Sequence, residues 1–527
     1  MTPLSPAQLA RQICRLGAPR EARPKKRPAQ LRFTNFCLLT CLSPRPRRAA
    51  LLLLLLAGSF VALSRAPSDD PRLKNSSRRA ARNGWIYVHL QGKPSEVGFQ
   101  HGWWLAPEIR TTFQDAVLVA EHDTKRPWSF FRETAEKMLW PRIETEYREE
   151  LQGIVDGLKA RGEKLDLWDI VAHNAFEELP GYYVPWLNKR EKREVAGLRG
   201  APESCSAFVA TGAWTRDGRV VVGHNNWSDY VVGQNWNILF DIAPASGHRI
   251  FMDGIPGIIA SDDDFGVNSA GLIITETTIS RFHGFDPDGI PEFVRARKAM
   301  QYSSSIDDFD RIMRQGNNGG YANAWLLADR KTNEIARLEL GLKNVTLERT
   351  RDGYFVGANF PVSEKLTREE TTYDPKDPAA SGNARRARWE QLMAEYKGKI
   401  DVAAGQKFLA DHYDTYARSQ DPGSRTLCGH VELSREGLPD WQPPFGPAGA
   451  VQSKVTDAAM AGRLAFTAAM GHACGRHFRA AEHLRRHPEF AWLQGRLRDL
   501  TAHPWTTFSA SSAPTSQRFP ITKSPNH

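Results

Sequence analysis

A single boundary, at Cys205, divides the chain into two kinds of sequence. Residues 188–204 are first densely charged (Asn-Lys-Arg-Glu-Lys-Arg) and then rich in Gly and Pro, which is typical of an exposed loop that can be cut. Directly after it, 206–211 and 219–225 are short β-rich runs joined by Asp217-Gly218, a pattern that predicts a hairpin. A cysteine therefore stands between a cuttable loop and the first strand of a predicted sheet.

The pattern of apolar residues predicts helices before this boundary, and sheets with helices after it. A short strand at 85–90 is followed by helical spacing, clearest at 105–121 and 143–158. The other predicted strands are 236–242, 248–252, 257–260, 271–277, 324–329, 334–340 and 353–358, and the other predicted helices are 291–300, 306–315, 384–418 and 457–500. Strand runs bracketed by helical runs predict an α+β body in which helices cover the sheets.

The positive charge of the chain is concentrated in a leader. The formal net charge is +10, but residues 1–66 hold 12 Lys or Arg and one Glu, so the remainder has 58 basic and 59 acidic residues. The predicted body therefore gives no electrostatic footprint for nucleic acid. Three arginines at 45–48 precede an apolar run at 49–63 and then small residues, which is the pattern of a secretory signal. The run is short for a membrane span, so we expect export, with anchoring by 49–63 as the alternative.

Cysteine usage bears on compartment, metals and cofactors. Of six cysteines, three lie in the leader, and the remaining three are Cys205, Cys428 and Cys474. They are too few for a disulfide framework, although a Cys428–Cys474 bridge is compatible with an oxidising compartment. Both lie near a histidine, but the spacings fit no zinc pattern, and the sequence lacks the usual redox, metalloprotease, nucleotide-binding and α/β-hydrolase motifs. We therefore expect no metal and no cofactor.

Three segments around and after Cys205 resemble a known family. Glu-Ser-Cys-Ser-Ala-Phe-Val (203–209) and Val-Gly-His-Asn-Asn-Trp (222–227) are similar to the nucleophile hairpin of the phospholipase B-like family. The segment from Ile-Pro-Gly-Ile-Ile to Ile-Ile-Thr-Glu-Thr-Thr (255–278) resembles the longest block that this family shares. These segments identify the chain as similar to that family.

Two further segments extend the resemblance. Tyr-Ala-Asn-Ala-Trp (321–325) resembles the family's Tyr-Asn-Asn-Gln-Trp motif, with Ala322 and Ala324 as departures. Leu-Gln-Gly-Lys-Pro-Ser-Glu-Val-Gly-Phe-Gln-His-Gly (90–102) is similar to the opening of related penicillin acyltransferase-type autoproteolytic enzymes. In all, the resemblance covers roughly residues 84–505.

The resemblance implies an N-terminal-nucleophile (Ntn) hydrolase fold, an αββα sandwich of two stacked antiparallel sheets between helical layers. It also implies that the chain cuts its own Ser204–Cys205 bond. Residues 84–204 then form a mostly helical N-terminal part, released as a separate chain, and 205–505 form the hydrolase core. Residues 67–83 are predicted to be a linker, and the Ser/Thr/Pro-rich tail at 506–527 is predicted to be disordered.

The same resemblance implies roles for the residues of the hairpin and of the 321–325 motif. Cys205 is the nucleophile, and its freed α-amino group, with an ordinary pKa of about 7.7–8.0, can serve as the base for its own thiol. Asn323 is the candidate oxyanion donor, with a turn-closing amide as the alternative. His224 orients the nucleophile or a substrate carbonyl, unless it is simply a buried, hydrogen-bonded histidine. Asn225 and Trp227 belong to the same motif, and Trp227 is expected to wall the pocket.

Each supporting residue has both a functional and a purely structural interpretation. Glu276 lies in an otherwise apolar strand, where a carboxylate is costly unless it is paired, so it either holds the site together or meets an arginine in the sheet. Arg385 and Arg386 match an arginine used by related amidases near the nucleophile, or else lie on a basic helix face. The Asp262–Asp264 run is expected to be a solvated or capping loop rather than a calcium site.

These observations predict a self-processing cysteine hydrolase that cleaves acyl bonds through a Cys thioester. The resemblance favours a small-molecule or lipid-type acyl substrate with transient membrane contact, and leaves ester and amide bonds open. An amidase or acyltransferase of the penicillin acyltransferase type is the first alternative. A non-catalytic binding protein that retains the fold is the second, and it is favoured by the departures at Ala322 and Ala324.

Overall fold

In the computed structural model, residues 70–193, 205–262, 265–438 and 444–510 are described. The strands are β1 Ser77–Arg78, β2 Ile86–Gly92, β3 Ser206–Thr211, β4 Val221–Asp229, β5 Ile238–Pro244, β6 Ile250–Gly254, β7 Gly266–Asn268, β8 Leu272–Thr278, β9 Asn323–Asp329, β10 Glu334–Leu340, β11 Val345–Thr350, β12 Gly353–Gly357, β13 Tyr413–Asp414, β14 Ser419–Gln420, β15 Ala448–Asp457, β16 Ala465–Met470 and β17 Thr506–Ser509. The α-helices are α1 Pro94–Trp104, α2 Ala106–Thr124, α3 Trp128–Thr134, α4 Thr145–Ala160, α5 Leu167–Asn174, α6 Val184–Glu191, α7 Tyr230–Gly233, α8 Glu292–Tyr302, α9 Ile306–Arg314, α10 Glu364–Glu370, α11 Ser381–Glu395, α12 Val402–Leu409, α13 Ala458–Ala461 and α14 Ala480–Arg486.

Two large sheets form the centre of the molecule. The first has nine strands in the order β1-β2-β5-β6-β7-β8-β9-β10-β11, and the second has six in the order β12-β3-β4-β15-β16-β17. The sheets face each other, because β3 and β4 of the second lie against β8 and β9 of the first. Helices α1, α8 and α9 cover the first sheet, and α11 and α12 cover the second. This arrangement confirms the αββα sandwich, with one difference: β2 and β5 pair in parallel.

The hairpin that begins at Cys205 forms as predicted. Strands β3 and β4 pair antiparallel, with Ser206 opposite Asn225 and Ala207 opposite His224. Every residue of β3 is buried, because the strand lies between the other sheet and the helices outside it. On the helical side, the Phe208 ring packs against the ring of Trp389 from α11. A strand buried on both faces holds its first residues rigidly, which suits a site that needs fixed geometry.

The N-terminal part is built into the body rather than appended to it. Its strand β2 lies inside the nine-stranded sheet, between β1 and β5. Helices α1 and α4 cross in backbone contact, because a Cβ at Gly98 or Gly102 would collide with carbonyl groups of α4, and a Cβ at Gly153 or Gly157 would collide with the backbone of α1. Glycine at these four positions therefore permits the close crossing.

One apolar run predicted as a strand, 257–260, is a buried loop. Gly257 has a φ of +90°, and its backbone N–H donates to Nε2 of His101 at 2.9 Å. Asn174 from α5 donates to the Gly257 carbonyl and accepts from the N–H of Ile259. Side chains of the N-terminal part thus satisfy backbone groups that a strand would pair with a neighbour. Periodicity alone cannot distinguish such a run from a strand.

The helical prediction for 457–500 is wrong over its first part. Strand β15 already contains Asp457, and β16 covers 465–470 in the interior of the six-stranded sheet. Within that range, α13, α14 and a 3-10 turn at Pro488–Leu493 are the helical pieces. The prediction for 384–418 holds for α11 and α12, but 410–418 are loop with the short strand β13.

Both predicted unstructured ends contain structure where they are described. Residues 70–83, within the predicted linker, include strand β1, which pairs with β2, and the Arg72 carbonyl accepts from Gln100 at 2.6 Å. In the predicted tail, β17 pairs with β16 and closes the edge of the six-stranded sheet. Among the described residues, no helix is both long and apolar enough to cross a membrane, and the predicted leader with its run at 49–63 lies outside them.

Candidate active site

Cys205 directly precedes β3, with its side chain almost completely buried. Its backbone has a φ of +86°, in the left-handed region that residues other than glycine rarely adopt. Its carbonyl oxygen accepts from Nη1 of Arg385 at 2.6 Å. The residue is therefore held in a strained conformation, and strain of this kind is concentrated at functional sites.

Two side chains approach the thiol of Cys205. Its Sγ atom lies 3.9 Å from Oε1 of Glu276 on β8, in the facing sheet. The Cys205 sulfur, a ring nitrogen of His224 and a carboxylate oxygen of Glu276 all lie within 4.8 Å of one another. The sandwich thus brings together a thiol, an imidazole and a carboxylate from both of its sheets.

Hydrogen-bond donors from the 321–325 motif hold the Glu276 carboxylate. The Tyr321 hydroxyl donates to Oε1 at 3.1 Å. With its Nδ2 turned toward the acceptors, the Asn323 amide donates to Oε2 of Glu276 at 2.9 Å and to the Ala322 carbonyl at 3.1 Å. Such donors favour the ionised form of a buried carboxyl group. Glu276 therefore lies beside Cys205, bonded to Tyr321 and Asn323, and its role in the site stays a prediction.

A tyrosine beside this cluster stays protonated. The Tyr182 ring packs edge-on against Tyr321, with 6.4 Å between ring centroids. Burial raises the pKa of Tyr182 well above its usual range, and the carboxylates of Glu177 and Glu276 raise it further. Its hydroxyl therefore does not add another negative charge near Glu276.

Arg385 ties the start of β3 to the Asn359 loop, to Trp227 and to the first turn of α11. Besides the Cys205 carbonyl, its guanidinium donates to the hydroxyls of Ser206 at 3.1 Å and Ser381 at 3.0 Å, and to Oδ1 of Asn359 at 2.9 Å. The group also lies over the Trp227 ring, 4.3 Å from its centroid. Because Arg385 is fully buried, its planar fork fixes the positions of all these groups at once.

The neighbouring arginine is not part of this cluster. The Arg386 side chain is exposed, pairs with Glu390 one helical turn along α11 and lies over the Phe360 ring. Of the two predicted arginines, Arg385 thus contacts the Cys205 segment, while Arg386 lies on the basic surface face that the alternative described. The helix turn separates two adjacent side chains by roughly 100°, so only one of them can face the sheet.

Two further residues of the hairpin, both on β4, are buried. Asn225 is buried, and its Nδ2 donates to the carbonyls of Leu409 and Leu427, both at 2.8 Å. This residue therefore fastens the loop that follows α12 to the nucleophile hairpin. Trp227 is buried beneath the Arg385 guanidinium group, and its place in a pocket wall stays a prediction.

His224 lies in a polar layer between the sheets. Its ring packs roughly parallel to Phe265 at 6.2 Å, and its cross-strand neighbour on β15 is Lys454. The Lys454 ammonium group pairs with Asp253 at 2.9 Å, and both side chains are fully buried. A buried ion pair of this kind is costly unless well bonded, and Asp253 accepts a further hydrogen bond from Gln452 at 2.5 Å.

A cavity of about 230 Å³ lies beside the N-terminus of α11. Ser381, which accepts from Arg385, is part of its wall, together with charged residues such as Arg281, Asp374 and Arg425. The cavity is thus linked to the Cys205 carbonyl through two side chains, Ser381 and Arg385.

Elsewhere, Asp262 of the predicted solvated run is buried, with a φ of +74°, and Asp263 and Asp264 lie outside the described residues.

Comparison with known proteins assigns the chain to a family. Its sequence matches the Phospholipase B family over residues 124–507, well over half of its length. The chain belongs to the phospholipase B family. The match spans the β3–β4 hairpin, the Glu276 strand and the helix that carries Arg385, so the family resemblance seen in the motifs is confirmed.

Individual relatives match this phospholipase B family member over about half of its length. It is 26% identical over 248 residues to the acyl-coenzyme A:6-aminopenicillanic-acid-acyltransferase 40 kDa form of Emericella nidulans, covering 46% of this chain and 60% of the relative. It is 25% identical over 280 residues to phospholipase B-like 1 of Homo sapiens, covering 45% of this chain and 46% of the relative. The chain thus spans about half the length of the curated relatives it matches.

Among solved structures, the chain is similar to a mutant of conjugated bile acid hydrolase from Clostridium perfringens. The identity is 11%, the TM-score is 0.30, and the match covers 50% of this chain and 88% of that one.

Sequence reasoning missed part of this phospholipase B family site. Asn359 and Ser381, which bind Arg385, and Tyr321, which binds Glu276, were not expected to have roles. Tyr321 lies in the 321–325 motif and Ser381 begins the helix of Arg385, so their neighbourhood was a signal. Asn359 has no such signal apart from a left-handed backbone, which only the structure reveals.

Proposed function

We propose that this chain is a self-processing Ntn hydrolase that cleaves acyl bonds with Cys205 as its nucleophile. The observation that carries the proposal is the position of Cys205. Its strained backbone precedes a buried strand, its thiol faces Glu276, and its carbonyl is held by Arg385. A reactive group held in this way is preorganised, and preorganisation supplies much of the rate enhancement of enzymes.

Self-cleavage is the first step of the proposal. The Cys205 thiol attacks the carbonyl carbon of Ser204, and the Glu276 carboxylate, 3.9 Å from the sulfur, accepts the thiol proton directly or through His224. The acyl group moves from nitrogen to sulfur, the α-nitrogen of Cys205 takes up a proton, and a thioester replaces the peptide bond. Water then hydrolyses the thioester, leaving Ser204 with a carboxylate and Cys205 with a free amine and thiol.

The catalytic cycle follows from the freed amine. With an ordinary pKa of about 7.7–8.0, the amine accepts the thiol proton while the sulfur attacks the substrate acyl carbon. The leaving group departs with a proton, and water resolves the thioester to acid and free enzyme. An amide N–H aimed at the developing oxyanion is worth about 2.7–4 kcal/mol, and Asn323 is the side chain proposed for that role. To act in this way, its amide would exchange one of its hydrogen bonds, to Glu276 or to the Ala322 carbonyl, for the oxyanion.

The substrate proposed is a small molecule or lipid that carries an acyl ester or amide. Family membership supports an acyl substrate, and the cavity bounded by Ser381 offers about 230 Å³ of space for one. Attack by the same thiol serves esters and amides alike, so both are proposed substrates, and transfer to an acceptor other than water uses the same intermediate. We also propose export of the protein, supported by the signal-like leader, while membrane contact stays a prediction.

The decisive experiment compares intact masses of wild type, Cys205→Ala and Cys205→Ser under denaturing conditions. Wild type should give two fragments that meet at Ser204/Cys205, Cys205→Ala a single uncut chain, and Cys205→Ser slower cleavage through its hydroxyl. Cys41→Ala, which changes a thiol of the predicted leader, is the control and should be cut like wild type. The cut protein is then assayed against matched panels of acyl esters and N-acyl amides.

Each outcome of this comparison is informative. Cleavage in wild type but not in Cys205→Ala fixes the nucleophile. An uncut wild type, even after incubation at mildly acidic pH, means that no free amine forms at Cys205. In that case the catalytic proposal fails and the non-catalytic binding protein becomes the better interpretation.

A further inference from the structure

Four side chains that ligate soft metals converge away from the proposed active site. They are His412, Cys428, His430 and Cys474. One ligand atom from each lies within 4.8 Å of all the others. His412 follows α12, Cys428 and His430 precede β15, and Cys474 follows β16, so three separate segments meet at this point.

Two distances within the cluster are those expected between neighbouring ligands of a tetrahedral metal site. The sulfurs of Cys428 and Cys474 each lie 3.5 Å from Nε2 of His430. In a tetrahedral zinc site with Zn–S of about 2.3 Å and Zn–N of 2.0–2.1 Å, adjacent S and N ligands are about 3.6 Å apart. The two observed separations therefore match ligand edges of such a tetrahedron.

The contacts of the His430 ring leave Nε2, the nitrogen that lies near both sulfurs, available to bind a metal. Its Nδ1 lies 3.0 Å from Oε1 of Glu432, and the other oxygen of that carboxylate accepts from the Tyr230 hydroxyl at 2.6 Å. A histidine that donates one ring N–H to a carboxylate presents its second nitrogen as a ligand in a fixed tautomer. Glu432 is thus placed to orient the His430 ring, as the carboxylate of a carboxylate–histidine–metal chain.

The fourth ligand is available as well. In the described part of the chain, Nε2 of His412 is buried without a hydrogen-bond partner, and its ring lies 5.1 Å from that of His430. By contrast, both ring nitrogens of the nearby His472 are occupied, one by Tyr230 and one by the Arg476 carbonyl. The choice of His412 rather than His472 as the ligand follows from this difference.

We infer that His412, Cys428, His430 and Cys474 form a structural zinc site of the Cys2His2 type. Four protein ligands leave no open position for water or substrate, which is the mark of a structural rather than a catalytic site. Binding of Zn²⁺ converts both thiols to thiolates and releases two protons, so the ion and its two thiolates are together neutral. The sequence spacings had argued against zinc, because the ligands come from three segments rather than from one compact motif.

The site would fasten the loops that back the nucleophile hairpin. Gly429, between two of the ligands, lies so close to the Trp227 ring that a Cβ there would collide with it. Trp227 in turn supports the guanidinium group of Arg385, which holds the Cys205 carbonyl. Loss of the ion should therefore loosen the second sheet and its loops without removing any catalytic group.

The competing interpretation is a disulfide between Cys428 and Cys474, which the sequence also allows. In the structure both are free thiols. A disulfide would consume the two sulfurs and leave His412 and His430 without a metal, so the two interpretations exclude each other. Peptide mapping without reduction separates them, because a linked peptide pair that contains Cys428 and Cys474 appears only for the disulfide.

The test measures metal content of the full chain by inductively coupled plasma mass spectrometry after purification without chelators. Wild type should hold about one zinc per chain, and Cys428→Ser/Cys474→Ser and His430→Gln should lose it. His472→Gln, a neighbour whose nitrogens are occupied, and Cys205→Ala should keep it. The last variant also separates this inference from the proposed function, because it should retain zinc while losing self-cleavage.

If a variant does not fold, a measurement on the wild-type protein still tests the inference. A strong chelator should lower its melting temperature by at least a few degrees, and added Zn²⁺ should restore it. Replacement by Co²⁺ should give the visible absorption of a tetrahedral thiolate site, absent in the double cysteine variant. A Cys428–Cys474 disulfide, zinc content near zero, or equal zinc in wild type and double variant would each overturn the inference.

Discussion

At the residue scale, the two adjacent arginines of α11 give the sharpest prediction. Arg385→Lys keeps the charge but loses the fork that binds the Cys205 carbonyl and Asn359. We expect self-cleavage to slow by roughly 10- to 100-fold, about 1.4–2.8 kcal/mol of barrier, because the reacting backbone is no longer held. The measurement is the rate at which the uncut chain disappears on denaturing gels after synthesis is stopped.

The control for this prediction is Arg386→Lys. Its side chain makes an exposed ion pair with Glu390, and such pairs contribute at most about 1 kcal/mol. Cleavage at the wild-type rate is therefore expected. Equal slowing by both substitutions would show that α11 responds to any change of this kind, and Arg385 would lose its assigned role.

Single residues stand out in the sequence where a local pattern is unusual. Cys205 at its loop–strand junction and Glu276 in an apolar strand both draw attention because polar or reactive groups rarely occur there without a partner. Sequence reasoning could not choose between Arg385 and Arg386, because the choice depends on the rotation of α11 against the sheet. Nor could it find His412, whose partners are distant in the chain and meet only through the fold.

At the scale of elements, the crossing of α1 and α4 can be tested by a substitution that ordinarily stabilises helices. In an exposed helix, Gly→Ala gains up to about 1 kcal/mol. At Gly102 the added methyl group would collide with the carbonyl of Ile154. We expect Gly102→Ala to reduce the free energy of unfolding by about 1–3 kcal/mol, because the helices must move apart.

Urea denaturation followed by circular dichroism measures this change. Gln152→Ala, at a less buried position of α4, is the matched control and should change stability by no more than about 0.5 kcal/mol. An increase in stability of Gly102→Ala would mean that the two helices do not cross in backbone contact.

Local sequence signals predict some elements correctly and fail for others, whose conformation is set by the surrounding sheet. The β3–β4 and β9–β10 hairpins each combine two short apolar runs with a polar turn segment, and both form. Strand β16 reads Ala-Phe-Thr-Ala-Ala-Met, and because alanine favours helix, this sequence predicts a helix. Buried on both sides in the sheet interior, β16 is fixed by its neighbours rather than by its own propensity.

At the scale of the whole molecule, acid should weaken the docking of the N-terminal part on the core. His101 accepts a hydrogen bond from the Gly257 N–H, and burial, with the nearby His173 and Arg297, lowers its pKa to about 3. Because this pKa is depressed below the unfolded value of about 6.5, the contribution to stability is complete above pH 6.5 and is lost as the pH falls toward 3.

This linkage is isolated by comparing wild type with His101→Gln, whose amide oxygen can still accept from Gly257. Between pH 7.5 and 4.5, wild type should lose about 2–3 kcal/mol more than the variant, at about 1.4 kcal/mol per pH unit below 6.5. Urea midpoints at the two pH values measure the difference, with the exposed His477→Gln as control. Parallel loss in wild type and His101→Gln would show that His101 does not carry the effect.

If the chain is cut before Cys205 as proposed, its two pieces should stay together. The first piece supplies β2, which lies between β1 and β5 in the nine-stranded sheet, and the buried contacts of α1 and α4. We expect size-exclusion chromatography in native buffer to give one peak that contains both fragments, and denaturant to separate them. Separate peaks in native buffer would contradict the role of β2 in the shared sheet.

The parallel pairing of β2 with β5 also sets the order of events during synthesis. Roughly 150 residues separate these strands, so at about 5–20 residues per second the ribosome needs on the order of ten seconds to deliver the partner. During that interval β2 emerges with an unpaired edge, which is a hazard for aggregation and a target for chaperones. Arg385 leaves the ribosome later still, and β17 last of all. A precursor that needs Arg385 to position its scissile bond therefore stays intact until Arg385 has emerged, by which time β2 and β5 are both available to pair.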